Sequence, residues 1–365
     1  MGKTLKVLYI FFFLFCIVFS SSAGSSNNES NPESDKKEGF DALGMIMHHI
    51  SDSHYWHVIS FEKKNGSKVD VSLPLPVILI YDGSFSIFMS SEFHHGSETV
   101  KKGSHYFKLY HDKIYVTDSN GEIILNEEGH PENEKPLDFS ITKNVASMWM
   151  SALIILALFI PAARKYKGKP SMPSGMQSFL EPIITFVRDD IVVEQLGEKK
   201  ADRFMPYILT IFFFIWINNL IGLVPFFPGG SNVSGNIAFT SILAVFTLIL
   251  TNINGSRQYW KHIFATPGVP IPVRLILIPI EVVSIFTKPF ALMIRLFANI
   301  TAGHIIMLSL ASLIFVMKSY YISPLSVGMS LFMSMLELLV GVLQAYIFAL
   351  LSALFIGMAI HEEEH

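Results

Sequence analysis

A single arginine, Arg295, lies in the apolar string Lys288-Pro289-Phe290-Ala291-Leu292-Met293-Ile294-Arg295-Leu296-Phe297-Ala298-Asn299. An arginine at the centre of a membrane helix costs roughly 2.5–3.5 kcal/mol on translocon-type scales, so it requires a protein partner, water or a function. Snorkelling relieves such a charge near a helix end, but about twenty mostly apolar residues flank Arg295 on either side. At 100° per residue, Glu281, Ser284, Lys288, Arg295, Asn299 and Ala302 fall within about 60° of one another. Further along, Ser330, Ser334, Glu337, Gly341, Gln344 and Ser352 form a second stripe within roughly 80°. Small and hydrogen-bonding residues in one such stripe are ordinary helix–helix contact in membranes, but Glu281, Arg295 and Glu337 together exceed what packing requires.

Depth relates these groups to one another. If the two helices run antiparallel with Gln344 level with Arg295, His304 lies about 13 Å and Glu337 about 10 Å further along the same direction. The two would then share a level, while Glu281 lies about 21 Å from Arg295 the other way. Chains of Asp, Glu and His in membranes mark proton relays, and arginine does not release its proton. On an ideal helix His304 sits about 140° off the Arg295 stripe, so it faces elsewhere unless Gly303 permits a bend. It is expected to line an outer conduit rather than the surface that carries Arg295.

The elements that must position these residues are membrane spans. The chain has 365 residues, 51% of them hydrophobic and 16% charged, with a mean hydropathy of +0.44. Long apolar runs with this composition are those of a polytopic membrane protein. Segments 144–163, 204–226 and 237–254 are each close to the roughly 20 residues that cross a bilayer. Segments 272–316 and 324–360 are too long, about 55–65 Å as helices against a 30 Å core, and predict a steeply inclined hairpin turning near 318–323. Residues 175–196, with Phe179, Ile183, Phe186 and Val187 set against Glu181, Arg188 and Asp189, predict an amphipathic interfacial helix. The fold class is therefore an all-α polytopic membrane protein of about five spans.

A different kind of unit precedes the spans. Residues 1–23 carry Lys3 and Lys6, an apolar stretch, and small residues before position 24, the pattern of a cleaved signal peptide with an uncleaved anchor as the alternative. The only cysteine, Cys16, lies in that stretch, so a processed chain would hold no disulfide and no thiolate metal site. Residues 27–38 are a polar lead-in. From about 54 to 125, β-prone runs are interrupted by Asn65-Gly66 and Asn120-Gly121, strong hairpin signals, and predict a small mostly β module within a 24–139 extension. Residues 24–139 carry 10 Lys/Arg against 19 Asp/Glu, and the near-neutral total of −3 holds no nucleic-acid signal. Nine of the thirteen histidines fall in this extension, but without cysteines or a ligand spacing they are read as surface histidines, with no metal or cofactor expected. Arg164, Lys165, Lys167 and Lys169 follow the first span and Arg257, Lys261 and Arg274 the third, whereas loop 227–236 has no basic residue. The positive-inside rule then places the extension outside, periplasmic in a bacterium, and the carboxyl terminus in the cytoplasm.

From Arg295-Leu296-Phe297-Ala298-Asn299 with Ala302-Gly303, Glu281 with Lys288-Pro289, Gln344-Ala345-Tyr346-Ile347-Phe348 and Asn218-Asn219-Leu220-Ile221-Gly222-Leu223-Val224-Pro225, the membrane part (140–365) resembles subunit a of the F-type ATP synthase. The resemblance implies a non-catalytic stator subunit in the bacterial inner membrane, beside a rotating ring of c subunits and the b-subunit stalk. Two offset half-channels would carry protons, with sodium as the alternative ion. It implies proton-translocation roles for Arg295, Asn299, His304, Glu337, Gln344, Glu281 and Ser284. Many members have glutamate where this chain has His304 and histidine where it has Glu337; the exchange is what interacting residues would show. A secondary transporter with a buried arginine would instead predict internal repeats, and none is seen. A third reading makes the extramembrane module the principal function, with the spans as its anchor. No nucleotide-binding glycine loop, nucleophile elbow or zinc motif points to a soluble enzyme.

Overall fold

The computed structural model describes residues 42–62, 68–127, 129–166, 175–224, 227–265, 269–317 and 320–360. The signal peptide, the lead-in, Asn65-Gly66, Lys318 and the tail from His361 to His365 lie outside the described residues.

The chain is a polytopic membrane protein with a small sheet-containing module at its amino-terminal side. A helix α1 (Ala42–Ile50) is followed by strands β1 (Tyr55–Glu62), β2 (Lys68–Pro74), β3 (Pro76–Tyr81), β4 (Ser84–Met89), β5 (Thr99–Lys102), β6 (His105–Tyr110), β7 (Lys113–Thr117) and β8 (Leu137–Asp138). They form three small antiparallel sheets, β1-β2, β4-β3-β8 and β5-β6-β7. Alternation sends Val77, Leu79, Phe88, Phe107 and Leu109 into one apolar core with Phe93. Asn65-Gly66 sits between the paired strands β1 and β2, as a hairpin requires. Asn120-Gly121 does not join two strands. Instead the Asp118 carboxylate accepts from the amides of Asn120 and Glu122 and closes an Asx-type turn at the end of β7.

Among the described residues, four helices are long and apolar enough to cross a membrane, and a bent pair makes up to five. They are α2 (Lys143–Lys165), α4 (Glu198–Leu223), α7 (Ile271–Met317) and α8 (Ser323–Ile360), the bent pair being α5 (Ile237–Ile253) with α6 (Arg257–Ala265) at 101°. α7 has 47 residues and α8 has 38, so at 1.5 Å per residue they reach about 70 and 57 Å. The shorter α3 (Met176–Phe186) continues through a π-helical stretch, Val187–Val193. Its buried stripe is Leu180, Val187, Ile191 and Val192, and Phe179 and Phe186 are exposed. Of the four apolar residues expected on one face, Phe179 and Phe186 are exposed, Ile183 is half-buried and Val187 is buried, so most of that face is left open as an interfacial helix requires, and a different side packs on α4 and α8.

The module grips the membrane part at the start of α2. Asp52 supplies the cap that Thr142 does not. Its two carboxylate oxygens accept from the Asn144 amide (3.1 Å) and the Thr142 hydroxyl (2.9 Å). Lys143 donates to the His49 carbonyl at 2.9 Å, and His54 meets the Asp138 carboxylate at 2.9 Å. His54 is thus a buried exception to the surface histidines expected of the module. Burial alone would lower its pKa, but the hydrogen bond and charge of Asp138, with Asp52 and Asp112 nearby, together hold it above the ordinary histidine value. Burial would raise Asp138, yet the His54 contact and the Ser140 hydrogen bonds hold it below the ordinary carboxylate value. Burial pushes Asp52 up, against the Asn144 hydrogen bond and the Lys143 charge.

The raised histidine contributes stability that is complete below about pH 6.5 and lost as pH climbs through its folded value. The depressed aspartate contributes stability present above its unfolded value and lost as pH falls through its folded one. Amide protection across residues 51–57, corrected for intrinsic exchange, should therefore be greatest in mildly acidic solution and fall on both sides. In His54→Gln the alkaline arm should flatten and the acid arm should shrink, because Asp138 keeps only its Ser140 hydrogen bonds. An unchanged alkaline arm would show that the pair does not hold the junction.

Candidate functional site

The second half of α4 ends in two adjacent amides, Asn218 and Asn219, both buried. Unpaired amides are costly in hydrocarbon, and these have partners for only some of their atoms. The Asn218 side-chain NH2 donates to Ser151 Oγ at 2.9 Å and to the Phe214 carbonyl at 2.7 Å. That of Asn219 donates to the Gly341 carbonyl of α8 at 3.0 Å. The Oδ1 atoms of both, with the hydroxyls of Ser231 and Ser234, are buried with no hydrogen-bond partner among the described residues. These groups surround a small cleft between the end of α4, loop 231–234, α7 and α8. A polar cleft that admits about one water can satisfy such atoms.

His304 and Glu337 form the titratable wall of the cleft. They are 4% and 5% exposed, and His304 Nδ1 meets Glu337 Oε1 in direct contact. The shared level expected from helical rise is thus a contact. His304 is also off the Arg295 stripe as expected, because it continues the α7 packing row of Leu292, Leu296 and Ile300, all buried. Gly303 lies within the unbroken α7 helix and serves clearance: a Cβ there would be 3.3 Å from both Cδ and Oε1 of Glu337. With Nδ1 on the carboxylate, the imidazole turns Nε2 toward Gly222 and the cleft. A histidine so placed can take a proton on one nitrogen and release one from the other.

The remaining expected residues divide between two surroundings. Arg295 and Asn299 are exposed on α7, and Glu281 and Ser284 are half-buried further toward its amino end. Arg295 makes no ion pair or hydrogen bond with the described residues, and its side of α7 is open. Gln344 is buried in α8, in a row with Glu337, Gly341 and Ser352. Ser352 meets Thr247 of α5 at 3.1 Å. The two polar stripes therefore look in different directions: the α8 stripe into the chain, the Arg295 stripe out of it. Only His304 and Glu337, of the seven expected residues, are brought into contact. Asn218, Asn219, Ser231 and Ser234 complete the cleft and were not singled out as site residues. The signal for the first two was present in the sequence, an amide doublet in an apolar run.

The sequence matches the family model described as ATP synthase A chain over residues 145–357. Residues 45–139 match a second, described as Domain of unknown function (DUF8433). Among curated proteins, the chain is 46% identical over 233 residues to ATP synthase subunit a of Chloroherpeton thalassium, covering 62% of this chain and 69% of that protein. It is 42% identical over 266 residues to ATP synthase subunit a of an Anaeromyxobacter species, covering 70% and 64%. With ATP synthase subunit a of Chlorobium phaeobacteroides it shares 45% over 236 residues, covering 62% and 68%.

If the buried pair relays protons, exchanging its members should preserve the relay better than removing either. In membrane vesicles, His304→Glu combined with Glu337→His should retain more proton transport than each single change, with a coupling of roughly 0.5–3 kcal/mol. Strictly additive losses would show that the two side chains act separately.

Proposed function

The chain belongs to the ATP synthase A chain family and so supplies a membrane-sector subunit of that machine, and from this premise we propose that it is the proton-conducting stator of the complex. The observation that carries the proposal is Arg295, a permanent cation on a membrane-spanning helix, exposed on α7 and without an ion-pair partner among the described residues. A charge in that position calls for a carboxylate from another chain. A ring of c subunits, each offering one carboxyl group at mid-membrane, meets that need.

In this reading a proton reaches the cleft from outside the cell membrane, passes over the serine and asparagine lining to His304 and Glu337, and is handed by way of Asn299 to the ring carboxyl. Glu337 accepts from the imidazole on one side, and Nε2 is recharged from the cleft. After nearly a full turn of the ring, the proton leaves toward the cytoplasm past Ser284 and Glu281. Arg295 lowers the pKa of the approaching carboxyl by its charge, so that the proton is released, and bars direct passage between the two paths because it does not itself deprotonate. Gln344, buried on α8, orders the polar groups that face the arginine level. The driving term is about 2.3 kcal/mol per charge per 100 mV, so several protons must pass for each ATP.

The subunit itself makes and breaks no covalent bond in this scheme. The 24–139 extension lies outside, residues 140–365 form the membrane part, and the b-subunit stalk holds it against the ring in the bacterial inner membrane. The positive-inside pattern and the outward position of a module that follows a signal-like segment support this orientation. A proton rather than sodium is favoured by the contact of a histidine with a carboxylate in the cleft.

Arg295→Ala in vesicles carrying the whole complex should abolish ATP-driven proton pumping and raise passive proton leak. Coupled pumping at the normal rate would sink the assignment. Pumping that requires added sodium would replace the proton with that ion.

A further inference from the structure

The loop between α4 and α5, which carries Ser231 and Ser234 into the cleft, has no regular secondary structure to hold it. From inside, Asn232 Oδ1 accepts from the Gly235 amide at 3.0 Å, and Asn236 caps α5 through the Ala238 amide at 2.9 Å. Gly229 presses so close to the end of α4 that a Cβ there would lie 2.2 Å from the Val224 carbonyl oxygen. On the α7 side Thr301 donates to the Gly235 carbonyl at 3.5 Å and Val233 packs into the main core, and at its other end the loop is held by the extramembrane module. The Trp56 indole NH donates to the Gly229 carbonyl at 3.0 Å, and its ring packs edge-on against Phe227 with centroids 5.2 Å apart. Trp56 is 5% exposed. It is held by pairing with Leu73 in β2, and it stands two residues beyond His54 and four beyond Asp52, the residues that lock the module to α2.

We infer that Trp56 is a positioning residue for proton uptake: it pins loop 227–234 and thereby sets the opening through which protons reach His304 and Glu337. The inference rests on the half-channel reading above and assigns to the module a part in that same path. Trp56 touches neither member of the pair and acts only through the loop. The 233–236 end of the loop is held by the core and by α5 and α7, and Trp56 supplies the side-chain restraint on the 227–229 end. Gly229 offers only backbone, its carbonyl is the acceptor, and no side chain at 229 could replace the contact. The cleft lining contains no titratable group other than His304 and Glu337 among the described residues. His54, Asp138 and Asp52 lie on the Trp56 side of the loop and are unaltered in the variants below.

The test uses the intact complex in membrane vesicles, with Trp56→Phe, Trp56→Ala and Glu337→Gln compared with the unmodified protein. Trp56→Phe keeps an aromatic ring against Phe227 and removes only the donor. Amide exchange within 227–236 should quicken roughly fivefold, the population change that one hydrogen bond of average net strength supports. ATP synthesis at a clamped membrane potential and fixed inner pH should reach half its maximum at a lower outer pH, because a mouth held in its set shape for less of the time needs more protons outside for the same uptake. Trp56→Ala should move it further. A merely structural role would reduce the amount of complex and scale the rate at every pH without moving the midpoint. Trp56→Phe with the original exchange rate and the original outer-pH midpoint would overturn the inference, as would failure of both tryptophan variants to assemble, which would assign the residue to folding. Glu337→Gln separates the two levels of argument. If it too works normally at every outer pH, the half-channel reading fails. If it is inactive while the tryptophan variants are normal, only the positioning role fails.

Discussion

The low dielectric of the membrane interior, in which an uncompensated charge is expensive, governs this molecule. α7 meets that constraint in two ways. On one side Leu292, Leu296, Ile300 and His304 recur at every fourth residue and are buried, so the histidine enters the packed interior and finds Glu337 there. On the other side Arg295 and Asn299 stay exposed, with no counter-charge for the arginine among the described residues. A titratable pair is completed within the chain, and a fixed charge is left without a counter-charge among the described residues. Removing one member of a buried pair strands the other, which costs about 3–5 kcal/mol, so the His304–Glu337 contact is also a commitment of the fold.

The same division explains the unequal covering of the spans. Half of the apolar window of α4 is buried within the chain, against 17% of that of α7. α4 is the central helix, with Ile208, Ile211, Phe212, Phe213, Phe214 and Ile215 all buried in the main core. α7 and α8 reach beyond any plausible bilayer core and must be strongly inclined. An inclined, sparsely covered helix presents a long apolar flank, and this one carries Arg295 at mid-length, with Lys288 and Arg274 nearer its amino end. Such a flank suits a broad protein partner better than a second packed helix of its own chain.

Much of this was legible in the residues. The spans came within a few positions of the observed helices, because long apolar runs leave the backbone no alternative in a membrane. The level of His304 and Glu337 followed from helical rise once the helices were set antiparallel with Gln344 level with Arg295, since two unbroken helices keep register over a few turns. The face of His304 was legible as an angle, and its partner was not, because the angle does not say which helix lies there. The apolar face expected of an interfacial helix, Phe179 and Phe186, is exposed, while the second apolar row of Leu180 and Ile191 that packs inside the chain was not anticipated, because only the neighbouring helices decide which row is covered. The anchors Asp52, His54 and Trp56, and the part that loop 227–236 takes in the cleft, were invisible for another reason. Their contacts join residues about 84 to 173 positions apart through single side chains, and no periodicity records such a pairing.

The position of the polar cleft follows from the same arithmetic of burial. Polar atoms without protein partners are tolerated at membrane depth only where they face a cavity that water can enter. The cleft accordingly lies at the loop end of α4, not along its middle. Toward the middle the helix turns phenylalanine and isoleucine to its neighbours, and in its last two turns it changes to Asn218, Asn219 and Gly222. The loop that follows brings Ser231 and Ser234 to the cleft on either side of the buried Val233. The unpaired polar atoms thus gather where the backbone leaves the helix and a cavity can form, and the packed phenylalanine and isoleucine of the helix middle are left without polar atoms to satisfy.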